Sequence, residues 1–244
     1  MSEEEALGSR RAQIGRQDLK GMSQPVRKAV IFDIIGTCFT LSAPEARLSE
    51  LGAPPGTLQL WFAQSLRDAM ALSLAGGYKP LKEVLSADLP RTLARQGVTA
   101  TKDEVSRVIE SFNELSPRPS LGEAVRSADR SGAKLIALTN SSEQATRGLL
   151  ESAGLRQHFD VLLSVDDVSH IKPHPAAYGL ARHHAVGETW MVAAHAWDIL
   201  GAAQSGFKTA YVTELEGDYP DAIFPAPDVV AANLTAAVSA LLKA

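Results

Sequence analysis

The sequence predicts an α/β fold, a parallel sheet core interrupted by an inserted all-helical cap. Three observations carry this. After residue 118, short β-rich runs alternate with helix-like segments, the pattern of a parallel sheet covered on both faces. One more β-rich run, "KAVIFD" at 28–33, lies far upstream. Between the two, residues 44–117 carry only helical patterning.

The elements follow in order. Residues 1–25 are polar and include three consecutive glutamates, Glu3 to Glu5. They resemble neither a secretion signal nor a transit peptide, and are expected to be a flexible tail, with Met22 an alternative start. The run at 28–33 is the first strand. Within 57–77, Leu58, Trp61, Phe62, Leu66, Met70 and Leu74 recur at helical spacing. Further helices are expected in 80–97 and in 101–115, where Val105, Val108, Ile109 and Phe112 form a second stripe. Both stripes read as core, and the flanking prolines as boundaries. Strands are expected at 134–139, 159–164, 189–194 and 208–212. Among the helices between them, 141–154 opens on serines and closes on Gly154. Segment 173–187 opens on prolines, which the first helical turn tolerates. Helices at 198–207 and 233–244 complete the chain. The division is therefore 26–43 and 118–244 for the core, and 44–117 for the cap.

Composition narrows the function. The 244 residues are 45% hydrophobic and 21% charged, with a net charge of −4. Mild acidity without clustered Lys and Arg argues against a nucleic-acid partner. The single cysteine, Cys38, rules out an internal disulfide and a multi-cysteine metal site; it reads as a buried packing residue. No apolar run is long enough to span a bilayer, so the expected location is cytoplasmic, with no membrane partner.

Four polar groups fall at the carboxyl ends of the expected strands, where ligands bind to an open parallel sheet. Asp33 ends the first strand. Thr139, Asn140 and Ser141 end the second, Lys172 lies in the loop after the third, and His195 and Asp198 follow the fourth. Their chemistry is complementary. A carboxylate at a strand end can serve as a covalent nucleophile, and a neighbouring lysine would hold it ionised. Thr139, Asn140 and Ser141 offer donors at a helix start for an anionic group. Asp198 would brace Lys172 or position water.

These residues, in this order, resemble the haloacid dehalogenase superfamily over roughly residues 28–244, and within it the type II (L-2-haloacid) dehalogenase-like branch. Phe32-Asp33-Ile34-Ile35-Gly36-Thr37 is similar to that branch's first motif, Lys172-Pro173 with Tyr178 to its lysine motif, and Ala196-Trp197-Asp198 to its last. The resemblance implies a Rossmann-like core with a C1-type cap and an aspartate nucleophile. It also implies a small carboxylate substrate and a homodimer. Where the superfamily's magnesium phosphatases carry a proton-donating Asp and an acidic metal ligand, this chain has Ile35 and Ala193. No metal and no cofactor are therefore expected, and Asp166 and Asp167 read as turn and capping acids. Halide leaves without protonation. The expected function is thus a metal-independent 2-haloacid dehalogenase-type hydrolase, with an atypical phosphatase or a non-catalytic metabolite-binding relative as alternatives.

Against the resembling branch, Phe62 after Trp61 stands where a cap arginine receives the halide, and Arg67 is the candidate substitute. Ile35 replaces an aromatic, Ala193 a serine, and His195 an asparagine. His195 is a candidate general base for water. The expected catalytic set is Asp33, Lys172, Asp198 and His195. The expected substrate contacts are Thr37, Thr139, Asn140, Ser141, Tyr178, Ile35, Trp61, Phe62 and Arg67. His158, His170, His174, His183 and His184 have no motif support.

Overall fold

A computed structural model describes residues 28–185 and 187–244; the N-terminal tail expected over 1–25, and the alternative start at Met22, lie outside the described residues. The six strands are β1 (Lys28–Phe32), β2 (Lys134–Thr139), β3 (Val161–Ser164), β4 (Glu188–Ala193), β5 (Lys208–Val212) and β6 (Val229–Ala231). They form one sheet in the order β3-β2-β1-β4-β5-β6, every pairing parallel. This is the parallel sheet that the alternation predicts, in the Rossmann-like arrangement that the resemblance implies. Chain order reverses beside β1, between its neighbours β2 and β4, and such a switch point opens a crevice at the carboxyl edge.

Nine helices are described: α1 (Ser42–Glu50), α2 (Thr57–Leu74), α3 (Leu81–Arg95), α4 (Lys102–Glu110), α5 (Leu121–Arg130), α6 (Glu143–Ser152), α7 (Pro175–His184), α8 (Ala196–Gln204) and α9 (Leu234–Leu241). Alternate residues of β1 serve opposite faces of the sheet, as the twofold period of a strand requires. Val30 and Phe32 pack with Leu121 and Val125 of α5, Leu149 of α6 and Leu241 of α9. Ala29 and Ile31 pack with Tyr178 and Ala181 of α7 and Ile199 and Ala202 of α8. With both faces covered, β1 is apolar from Ala29 to Phe32 rather than alternating.

Helices α1 to α4 close around a separate cluster that includes Leu48, Trp61, Leu89, Leu93 and Val108. The indole N–H of Trp61 donates to Leu85 O at 3.0 Å, tying α2 to α3. Thr101 and Glu104 start α4 with a reciprocal capping box. Ile35, Leu41 and Phe112 pack against both this cluster and the sheet cluster, so the helical layer sits directly over the end of β1.

Some elements depart from expectation. Helix α5 and edge strand β6 have no counterpart in the sequence reading, and α1 starts two residues before Pro44. Leu74, counted in the first apolar stripe, is 88% exposed, and the buried position in the last turn of α2 is its neighbour Ser73. Cys38 is fully buried, and burial pushes its thiol well above the ordinary range, which suits packing and not nucleophilic attack.

Candidate active site

Beyond Phe32 the chain continues its pairing for one residue, Asp33 N–H donating to Val192 O at 3.1 Å. It then turns sharply. Cys38 and Phe39 N–H both donate to Ile34 O, and Gly36 N–H donates to Phe39 O. Gly36 has φ +87°, a left-handed conformation that glycine adopts without steric cost. A Cβ there would also lie 2.7 Å from His195 Nε2, so space and backbone both demand glycine. Arg118 clamps the turn from outside, its guanidinium donating to Gly36 O at 2.8 Å and Thr37 O at 3.0 Å.

The turn presents a nearly buried Asp33 to three other elements. Lys172 Nζ donates to Asp33 Oδ1 at 2.8 Å, to Asp198 Oδ2 at 2.7 Å and to Leu138 O at 3.1 Å. All three ammonium protons thus have acceptors although the side chain is 0% exposed. The Thr37 hydroxyl donates to Asp33 Oδ2 at 2.6 Å and accepts from Ala194 N–H at 2.8 Å. Tyr178 Oη donates to Asp198 Oδ1 at 2.6 Å. Each carboxylate therefore receives one donor on each oxygen, the arrangement that lets buried charges persist.

Desolvation pulls the Lys172 ammonium down most strongly among single influences, but the charges of Asp198 and Asp33 outweigh it and leave its pKa raised. Burial is the largest influence on Asp198 and lifts its carboxyl above the ordinary range, Lys172 opposing and Asp33 adding. With two carboxylates around one ammonium, the cluster carries a surplus negative charge when all three are ionised.

His195 lies beyond this cluster. Its Nδ1 is 2.7 Å from Glu216 Oε1, while Glu216 Oε2 accepts from Ala196 N–H at 2.9 Å at the start of α8. The imidazole stacks on Trp197 with centroids 5.1 Å apart. Burial lowers its pKa most, yet the Glu216 hydrogen bond and the charges of Asp33, Glu216 and Asp198 raise it above the ordinary histidine value. On the other side, Asn140 Oδ1 accepts from Lys172 N–H at 2.9 Å. The Thr139 hydroxyl accepts from Ser141 N–H at 3.0 Å, and Ser164 donates to Ser141 O at 2.8 Å. The loop after β2 is therefore pinned from several directions.

A small cavity of about 20 Å³ is lined by Asp33, Ile35, Phe62, Thr139, Asn140, Ser141 and His195, with Leu66, Leu81 and Trp197 completing the wall. Four of the expected substrate contacts lie elsewhere. Thr37 is occupied with Asp33 and Ala194, and Tyr178 with Asp198, both fully buried behind the cavity. Trp61 faces the helical cluster and Leu85 O. Arg67 is 65% exposed and paired with Asp68, on an adjoining groove rather than the cavity; its position along α2 turns it away from Phe62.

Three contributors were not expected. Glu216 and Arg118 sit in loops with no spacing relationship to the residues they hold. Trp197 stood in the last motif but carried no assigned contact, although Lys172 Nζ lies 5.9 Å from its ring centroid. Asp166, read as a turn acid, accepts a hydrogen bond from Tyr78 and has its N–H bonded to Ser164 Oγ at 3.1 Å. Among the described residues no cluster of three His, Cys, Asp or Glu side chains could hold a metal ion.

Sheet order, the switch-point crevice and the buried ionic cluster define a Rossmann-like α/β protein with a polar site at the carboxyl edge of its sheet. The chain belongs to the haloacid dehalogenase-like hydrolases, whose family model matches residues 27–206. It is similar to the (S)-2-haloacid dehalogenase of Pseudomonas sp. (strain YL), 30% identical over 219 residues that cover 86% of this chain and 93% of the relative. Haloacetate dehalogenase H-2 of Moraxella sp. (strain B) is 26% identical over 215 residues, covering 83% of this chain and 96% of the relative. The solved L-2-haloacid dehalogenase of Xanthobacter autotrophicus shares the fold, with a TM-score of 0.77 at 24% identity over 88% of this chain and 98% of that one.

Proposed function

We propose that the chain hydrolyses the carbon–halogen bond of a 2-halocarboxylic acid through an ester formed on Asp33. The observation that carries this is the Asp33–Lys172–Asp198 cluster, buried at the switch point and opening on the small cavity through Asp33. Attack by a carboxylate oxygen of Asp33 on the halogen-bearing carbon breaks the carbon–halogen bond, whose electron pair leaves as halide. The new ester is neutral, so the cluster loses its surplus charge and Lys172 retains Asp198 as counter-ion. Relief of like-charge repulsion favours this step, and the donors on Asp33 keep the ester carbonyl polarised.

Water then adds to the Asp33 carboxyl carbon while His195 accepts its proton. Collapse expels the 2-hydroxy acid, the proton passes to its oxygen, and the Asp33 carboxylate returns. Net, the acid and water give hydroxy acid, halide and a proton. Asn140, Ser141 and the N–H groups beginning α6 face the side where the substrate carboxylate is held. In this reading 44–117 acts as a cap over a core of 26–43 and 118–244, and the enzyme is a cytoplasmic homodimer. Light scattering tests the dimer.

Neither phosphatase device has a replacement at the site. Ile35 has no proton to donate and Ala193 no ligand to offer. The deciding experiment is turnover of short 2-haloacids in heavy-oxygen water, with halide measured and the Asp33 peptide weighed. Halide release with label in Asp33 is expected. Halide release without label removes the ester, and phosphate release that chelation abolishes replaces the reading with a metal phosphatase. Release of neither halide nor phosphate, with metabolite binding kept in Asp33→Asn, makes the chain a binding relative.

A further inference from the structure

The cavity beside Asp33 holds about 20 Å³, room for roughly one water molecule. The bulk of any substrate must therefore lie in an adjoining space. Two larger spaces adjoin it, and Phe62 lines all three. Their chemistry differs. One, of about 660 Å³, shares Asn140 and Ser141 with the cavity and continues past Ser142, Gln144 and Lys82. The other, of about 700 Å³, shares Phe62, Leu66, His195 and Trp197 with the cavity and continues along α2 past Leu58 and Met70. Its two arginines are directed elsewhere, Arg67 to Asp68 and Arg118 to the carbonyls of Gly36 and Thr37.

The site therefore has two exits on either side of Phe62: a mixed one, where Ile109 and Phe112 face Asn140, Ser141 and Lys82, and a more apolar one along α2. We infer that the substrate is an acid with an extended apolar chain, its carboxylate toward Asn140 and Ser141 and its chain in the groove lined by Leu58, Phe62, Leu66 and Met70. This rests on the displacement reading for the reaction but concerns what is bound, so binding can be measured without turnover. An aliphatic chain of six to eight carbons fits a groove of this size, which lies within the common range for small-molecule sites, roughly 300–1,000 Å³. Each methylene that the groove buries fully tightens binding by about fourfold, from ~0.8 kcal/mol per methylene; in an open groove about twofold is expected.

Two series test this on the full chain: affinity for 2-hydroxyalkanoates from propionate to decanoate by calorimetry, and kcat/KM for the matching 2-bromo acids. Affinity is expected to rise at least tenfold from three to eight carbons. Ala63→Trp, an exposed residue on the groove, should reduce that eight-to-three preference by about tenfold. Gly148→Trp, on the mixed exit where an added Cβ meets nothing within 4 Å, should leave the preference as it is. A flat or falling series overturns the proposal, as does a preference lost in Gly148→Trp but kept in Ala63→Trp. A native dimer that Ala63→Trp dissociates, without chain-length preference, assigns the groove to a second copy instead. Halide release from none of the bromo acids, with the hydroxy-acid series still rising, removes the displacement reading while the apolar chain site stands.

Discussion

Glu216 holds His195 with one carboxylate oxygen, 2.7 Å from Nδ1, and caps the following N–H with the other at 2.9 Å. The imidazole is thereby fixed in the tautomer that leaves Nε2 to accept a proton when the ring is neutral. Because His195 is raised above the ordinary histidine value, ester hydrolysis should gain rate as pH climbs through a midpoint above about 6.5. Glu216→Gln removes a charge that supports the imidazolium, so the midpoint should move to lower pH while the plateau falls roughly tenfold to a hundredfold, a typical range for loss of an orienting partner. Pre-steady-state halide and hydroxy-acid release across pH separates the two steps. An unmoved midpoint assigns Glu216 to capping alone.

Removing Lys172 strands two buried carboxylates. Lys172→Met should cost about 3–5 kcal/mol of stability, the usual consequence of breaking a buried pair from one side, read from denaturant unfolding. The wild-type contribution has a defined pH window. A lysine raised on folding stabilises fully below its unfolded pKa of about 10.4 and loses that contribution as pH rises through the higher folded value. An alkaline fall in stability above about pH 10.4 should therefore be present in wild type and reduced in Lys172→Met.

Thr37 serves two partners at once, donating to Asp33 and accepting from Ala194 N–H. Thr37→Val keeps the shape but leaves both groups unmatched in a buried place, at about 1–3 kcal/mol and with a marked loss of ester formation. Thr37→Ser keeps the hydroxyl and should recover most of both losses. Damage by Ser without damage by Val would assign the effect to the methyl group's packing.

Gly201 makes room for Tyr178. A Cβ on Gly201 would lie 2.3 Å from the tyrosine oxygen and 2.6 Å from ring carbons, so Gly201→Ala must push Tyr178 off Asp198. A loss of about 1–3 kcal/mol is expected, as for other overpacked cores. In a Tyr178→Phe background the oxygen is gone and the penalty should shrink measurably, the non-additivity that neighbouring residues show. Strict additivity would mean that the two side chains do not compete.

Most of the sheet was legible because β1, β2 and β5 are largely apolar runs bounded by helix signals; their register was not, since burial on both faces removes the alternation that would set it. Strand β6 was not: three residues at an edge, with Val230 56% exposed, give no alternation to detect. Asp33, Lys172, His195 and Asp198 were legible because strand ends in a parallel sheet converge on one edge whatever their separation in sequence. The roles of Thr37 and Tyr178 were not, since whether a hydroxyl faces a ligand or a carboxylate depends on depth behind the turn. Glu216 was hidden in an acidic loop, "ELEGD", where nothing in the sequence separates it from its neighbour Glu214. Arg67 shares a helix with Phe62 but lies five residues on, on a different face, and Asp68 beside it takes the guanidinium.

Asp33 and Lys172 meet across 139 residues of chain. Their contact forms only after the whole helical insertion and two strands have been laid down, and loops of that length close late in folding. Helices α2 to α4 hold mostly local contacts and can form earlier. A chain released from denaturant should thus regain its helical circular dichroism ahead of its ability to consume substrate. Partial products that end before β3 would lack the lysine and leave Asp33 without its counter-ion, giving a molecule with much of its shape and none of its chemistry.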